Sequence, residues 1–177
     1  MSSGHLVLVG LPGAGKSTVG RLAAKRLKVA FIDLDTEIEL REGRKLPRIF
    51  NTRGEPYFRR LERELTAEMS GRRSAIISPG GGWMVDPANV ALIRPPGRII
   101  HLLVGIDVAL ARLGTEMGGR PLLLVGSNPR DRLAAIWEQR APVYAQADAQ
   151  VDTEVLSPQQ VAEMVIELAG RWGWPVG

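Results

Sequence analysis

Cysteine is absent from all 177 residues of the chain. That excludes disulfides, thiolate metal sites and cysteine nucleophiles together. Histidine occurs twice, as His5 and His101, each in a strand-like apolar run; two such ligands are too few for a histidine-based zinc site. Lysine is scarce as well, confined to Lys16, Lys25, Lys28 and Lys45, so the basic side is almost all arginine. No apolar run approaches the roughly 20 residues of a membrane span. The opening Met1–His5 lacks the charged start, apolar core and cleavage site of a signal peptide, so the expectation is a cytoplasmic protein.

What is present points to a folded chain. The hydrophobic fraction is 45%, the mean hydropathy is −0.02, and the length suits one domain over residues 1–177. The net charge of +4 suits small anionic substrates. The arginines are dispersed, with no basic run interleaved with aromatics, which argues against nucleic acid as partner. A monomer acting on small molecules, away from membranes, is expected.

Apolar strand-like runs recur at Leu6–Val9, Ala30–Ile32, Ala75–Ile77, Arg98–Val104 and, more weakly, Gln150–Asp152. Helical patterns lie between them, at Lys16–Leu27, Thr36–Glu42, Glu55–Ser70, Pro87–Arg94, Val108–Met117, Arg130–Ala147 and Pro158–Trp172. This alternation predicts an α/β fold with a parallel sheet covered on both faces. Ligands in such folds sit beyond the carboxyl ends of the strands. Glycine or carboxylate does follow four successive strands: Gly10 onward, Asp33-Leu34-Asp35, Gly80-Gly81-Gly82 and Gly105-Ile106-Asp107. Residues 36–70 read as a charged helical insertion and residues 114–129 as a mobile flap.

The stretch Gly10-Leu-Pro-Gly-Ala-Gly-Lys16-Ser17-Thr18 carries the chemistry. The spacing G-x-x-x-x-G-K-S between a strand and a helix is that of a phosphate-binding loop. Its glycines let successive N–H groups turn inward on a polyphosphate, and the helix N-terminus adds partial positive charge. Lys16 then reaches the β- and γ-phosphates, and Ser17 offers a hydroxyl to Mg²⁺. The loop specifies a nucleoside triphosphate and leaves the acceptor open.

Other residues bear on that acceptor. Asp33 and Asp35 share a face of an extended strand end; Asp33 suits the outer shell of Mg²⁺ and Asp35 the acceptor, while Asp35 also fits a helix N-cap. The triplet Gly80–Gly82 allows close approach of backbone to ligand. Arg59, three residues before Glu62, is either held rigid to capture an acid or part of a solvated surface pair. Arg120 in the flap is either a phosphate-closing arginine or a loop charge. Arg140 is left undecided. Trp83 is placed equally for pocket and core, and Trp137 and Tyr144 read as packing residues.

Taken in order, these motifs resemble the shikimate kinase family over nearly the whole chain. The carriers are Gly10–Thr18, Phe31-Ile-Asp33-Leu-Asp35-Thr-Glu-Ile-Glu39, Ile49-Phe50, Gly54-Glu55, Phe58-Arg59 with Glu62, Gly80–Gly82, Arg120-Pro-Leu-Leu, Arg140-Ala-Pro-Val-Tyr144 and Val151-Asp152-Thr153. The resemblance implies a P-loop kinase fold, three-layer α/β/α, with a five-stranded parallel sheet in the order 2-3-1-4-5. It implies transfer of the ATP γ-phosphate to the 3-hydroxyl of shikimate, toward chorismate and aromatic amino acids. By similarity, ATP is held by Gly13, Ala14, Gly15, Lys16, Ser17 and Thr18, by the lid arginine Arg120, and at its adenine by Arg112 and the segment near Pro158. Ser17 ligates Mg²⁺, with Asp33 reaching it through water. Asp35 serves as base or orienter, Arg59 and Arg140 clasp the shikimate carboxylate, and Glu62, Gly80, Gly81 and Gly82 complete the pocket. Local departures at Lys45-Leu46, Trp83-Met84 and Gly114–Gly119 bear on pocket shape and lid length.

Rival readings predict other residues. A gluconate kinase of the same fold would carry a histidine-containing segment after Asp35, which is missing here. A GTP-operated switch would need D-x-x-G and N-K-x-D, and neither occurs. A kinase-like binding module without catalysis is opposed by the intact lysine, serine, carboxylates and flap arginine.

Overall fold

The computed structural model describes residues 4–114 and 128–174. Five strands form one sheet: β1 (Leu6–Val9), β2 (Ala30–Asp33), β3 (Ala75–Ser78), β4 (Arg98–Leu103) and β5 (Ala149–Asp152). Their order is β2-β3-β1-β4-β5 and every pairing is parallel, as the resemblance implies. The central strands β1 and β3 are buried at every residue, which is why they read as unbroken apolar runs.

Side chains alternate across β1 and so seed two cores. Leu6 and Leu8 join Ile76, Ile100 and Leu102 on one face. That face is covered by α1 (Lys16–Leu27), α5 (Ile106–Leu113) and α7 (Pro158–Arg171). Val7 and Val9 join Ile77 and Ile99 on the other. There they meet α2 (Leu34–Glu42), α3 (Leu46–Ser70), α4 (Pro87–Ile93) and α6 (Pro129–Tyr144). Trp174, beyond the last helix, is only 3% exposed and packs into the first core.

Some boundaries differ from those read in the sequence. Helix α3 begins at Leu46 rather than Glu55 and is kinked at Gly54, whose φ of 78° and ψ of 170° no helix accepts. Pro56, lacking an N–H, sits in the first turn of the second half, where that loss is tolerated. Helix α5 ends at Leu113, with Gly114 at φ 40°. Helix α6 ends at Tyr144, three residues short of the expected Ala147. The flap lies almost wholly outside the described residues, and Arg120 with it.

The two histidines are structural. His5 Nε2 donates to the Met69 carbonyl at 2.8 Å, and its Nδ1 accepts from the Ala75 N–H at 3.2 Å. It thereby ties the end of α3 to the start of β3. Burial lowers its pKa. His101 is buried under the phosphate loop, where burial and then the Lys16 charge push its pKa down to about 4.

Candidate active site

Loops at the carboxyl ends of the strands enclose an open cleft of about 780 Å³. The phosphate loop forms its floor. Gly13 has φ 85°, and a Cβ there would lie 2.5 Å from the Ala109 carbonyl oxygen, so only glycine lets the loop pass α5 this closely. Gly15 takes φ 90° and caps α1, whose first residue is Lys16. The Lys16 ammonium donates to the carbonyls of Gly10 (2.8 Å) and Leu11 (2.9 Å), folded over the loop. Ala14, Ser17 and Thr18 line the same floor.

Strand β2 delivers the carboxylates. The Ser17 hydroxyl donates to Asp33 Oδ2 at 2.7 Å. Asp33 Oδ1 accepts from the Thr36 N–H at 3.2 Å, so Asp33, and not Asp35, is the N-cap of α2. The cap role that the sequence offers Asp35 thus falls two residues earlier, because the helix begins at Leu34, directly after the strand, rather than at Thr36. Asp35 sits in the first helical turn and lines the cleft.

The three glycines after β3 each leave room for a charged side chain. A Cβ on Gly80 would lie 3.1 Å from Asp35 Oδ1 and 3.4 Å from Glu62 Oε1. One on Gly81 would lie 2.6 Å from Arg140 Nη1, and one on Gly82 would overlap the Arg59 guanidinium. The triplet therefore gathers Asp35, Glu62, Arg140 and Arg59, from three different helices, around one turn. This is a more specific reason for three glycines than close approach to a ligand.

Arg59 is held on two sides. Its Nη1 donates to Glu62 Oε2 at 2.8 Å, and its Nε and Nη2 donate to Glu55 Oε1 at 3.2 and 3.0 Å. Of the two readings for the Arg59–Glu62 pair, the held guanidinium is the one observed. The sequence names Glu55 only within the Gly54-Glu55 motif and gives it no role; its position beside the Gly54 kink is the available signal. Glu62 is fully buried. Burial raises its pKa from 4.5 to about 7; Arg59 opposes this and the Asp35 charge adds to it. Its Oε1 has no hydrogen-bond partner among the described residues. Arg140 is only 6% exposed, with its Nη1 against Gly81.

At the far end of the cleft, Arg112 donates to the Thr153 hydroxyl (3.0 Å) and carbonyl (2.5 Å). Leu113, Leu156 and Pro158 line this end. Pro158 opens α7 behind a Ser157–Gln160 capping box. Trp83 belongs to the core: it is fully buried and donates to the Thr66 hydroxyl at 2.9 Å.

The arrangement juxtaposes a polyphosphate cradle, a carboxylate and two guanidiniums that match a small acid. Comparison with known proteins agrees with it. The family model for shikimate kinase matches residues 12–169. Shikimate kinase of Pseudomonas entomophila is 40% identical over 164 residues, 92% of this chain and 94% of the relative. That of Moorella thermoacetica is 40% identical over 169 residues, 96% of each chain. The solved structure of shikimate kinase from Acinetobacter baumannii in complex with shikimate superposes with a TM-score of 0.90 at 31% identity, over 97% of this chain and 96% of that one. Likeness of this extent, running from the phosphate loop to the last helix, makes the chain a member of the shikimate kinase family.

Proposed function

We propose that this chain transfers the γ-phosphoryl group of ATP to the 3-hydroxyl of shikimate. The observation that carries the reading is the convergence of Asp35, Arg59 and Arg140 on the Gly80–Gly82 turn, whose Gly80 and Gly81 line, with Asp35, the cleft that the phosphate loop floors. Arg59 and Arg140 clasp the acceptor carboxylate, each guanidinium offering paired N–H groups to its oxygens. Gly80, Gly81, Gly82 and Glu62 close the pocket around the ring. Asp35 accepts a hydrogen bond from the attacking hydroxyl and aligns it, either taking its proton or orienting it.

On the donor side, Lys16 leaves the loop carbonyls for the β- and γ-phosphate oxygens. The N–H groups of Gly13 to Thr18 hold the same phosphates. Arg112 and Pro158 bracket the adenine. Arg120, outside the described residues, stabilises charge on the group in transfer. The flap of residues 114–129 excludes water that would otherwise hydrolyse ATP.

The Ser17 hydroxyl and the Asp33 carboxylate, 2.7 Å apart, are hard oxygen donors that suit Mg²⁺. Among the described residues no cluster of three or more His, Cys, Asp or Glu could hold a metal. Mg²⁺ commonly takes one or two protein oxygens and completes its shell with phosphates and water. Bound with the nucleotide, it neutralises charge on the β- and γ-oxygens. No helix of the described residues is long and apolar enough to cross a membrane, and we read the enzyme as a cytoplasmic monomer of one domain, with residues 36–70 forming the acceptor-binding insertion.

The test is product identification. Incubation with ATP, Mg²⁺ and shikimate should yield one new phosphomonoester by ³¹P NMR, placed on the 3-oxygen by its coupling to the ring proton. Gluconate in place of shikimate should yield none. A phosphorylated gluconate, or no phosphomonoester, would overturn the reading.

A further inference from the structure

Tyr144 is the last residue of α6 and lies four residues after Arg140, so the two side chains share one face of that helix. The sequence marks it as a packing residue, and its ring does stack on His101 with centroids 4.7 Å apart. Packing leaves its hydroxyl unexplained. Tyr144 is 1% exposed, yet its phenol donates to the Gly81 carbonyl at 2.6 Å. A Cβ on Gly81 would meet Arg140 Nη1 at 2.6 Å and the Tyr144 phenol oxygen at 3.5 Å, so both side chains close on the same residue. Arg140 in turn occupies the space beside Gly81 that a side chain there would fill.

These contacts converge on one peptide. The Gly81 carbonyl can only accept, and the phenol donates to it. Phenylalanine would fill the same volume and keep the stack on His101 but could not make this bond. Burial raises the Tyr144 pKa, which keeps the donor proton in place through the working pH range.

We propose that Tyr144 is a positioning residue of the acceptor site, fixing through one hydroxyl the Gly81 peptide against which the Arg140 guanidinium rests. The proposal rests on the reading above that Arg140 clasps the acceptor carboxylate. Without the phenol O–H, the Gly81 carbonyl loses its donor, and Arg140 keeps its charge but loses the fixed surface that aims its paired N–H groups. Acceptor affinity then falls, while the bonds that fold Lys16 over the phosphate loop, to the carbonyls of Gly10 and Leu11, do not involve Tyr144.

The experiment is a kinetic cycle on the full chain with Y144F, R140A and the double variant, varying shikimate and ATP separately and recording thermal melting. Y144F should raise the KM for shikimate about five- to thirtyfold, the range expected for leaving one buried carbonyl without its donor, and leave the KM for ATP within twofold. In the R140A background the Tyr144 change should add less than twofold, since its effect passes through the missing guanidinium. An unchanged shikimate KM in Y144F, with R140A impaired, would overturn the proposal and leave the acceptor site standing. So would effects that multiply in the double variant, or a parallel loss for ATP, which would mark Tyr144 as a packing residue. An unimpaired R140A would instead sink the acceptor-site reading, and this proposal with it.

Discussion

Arg59 Nη1 donates to Glu62 Oε2 at 2.8 Å, and Glu62 is fully buried. An exposed arginine–glutamate pair contributes little. A buried one fixes a guanidinium in place before any ligand arrives, which removes ordering cost from binding. Glu55 completes the brace through Arg59 Nε and Nη2. Burial outweighs this pairing in the titration of Glu62, which moves from 4.5 to about 7.

That shift has a signed consequence for stability. A carboxyl group whose pKa rises on folding binds more protons in the native state than in the unfolded state between the two values. Its contribution is fully present below about pH 4.5 and is lost as pH rises through about 7. Glu62→Gln cannot ionise. Between pH 4.5 and 7.5 the wild type should therefore lose stability relative to E62Q, by something on the order of 2 kcal/mol. Urea unfolding across that range measures it; parallel pH profiles for the two proteins would contradict it.

Lys16→Ala should abolish turnover, lowering kcat by at least about a thousandfold, because no other group replaces its charge on the β- and γ-phosphates. The fold should survive, since Lys16 lines the open cleft and belongs to neither hydrophobic core. Circular dichroism with an ADP-release assay checks both halves.

Asp35→Asn keeps the shape and loses the charge. ATP affinity should stay within about threefold of wild type, while kcat should fall roughly a hundredfold or more, the usual scale for a positioned acid–base group. Nucleotide titration and steady-state rates separate the two quantities. Wild-type turnover in D35N would remove Asp35 from the mechanism.

Gly81→Ala should act chiefly on the acceptor. The new Cβ would meet Arg140 Nη1 at 2.6 Å, the Gly10 carbonyl oxygen at 3.3 Å and the Tyr144 hydroxyl at 3.5 Å; the far end of an arginine side chain moves more readily than backbone, so Arg140 gives way first. The protein should fold, with Arg140 displaced, and the KM for shikimate should rise at least about tenfold. The KM for ATP should hold. Equal losses for both substrates would show that the turn serves the nucleotide as well.

The strands and the phosphate loop are legible because both leave local marks: apolar runs of strand length, and glycines at fixed spacing before Lys16; the sheet order follows only from the family resemblance. The strand-end rule also marks Asp33, Asp35 and Gly80–Gly82 in the sequence. Contacts between distant residues leave no such marks. Nothing in the spacing around Tyr144 announces a bond to a carbonyl 63 positions earlier. Glu55 has no role legible in the sequence because its target is Arg59's second edge, visible only once the Gly54 kink is in place. The cap of α2 falls on Asp33 rather than Asp35 because the helix begins at Leu34, two residues before the expected Thr36. Trp83 was ambiguous since a buried indole needs a hydrogen-bond acceptor, and Thr66 supplies it from another helix.

One comparison bears most directly on the picture of an acid pinned beside a triphosphate: initial rates of ADP release with shikimate, with its methyl ester, and with no acceptor. Release should be rapid with shikimate, at background without acceptor, and with the ester should show a KM raised at least about tenfold, since the ester offers Arg59 and Arg140 no carboxylate. Equal KM values for acid and ester, or ADP release indifferent to any acceptor, would contradict it.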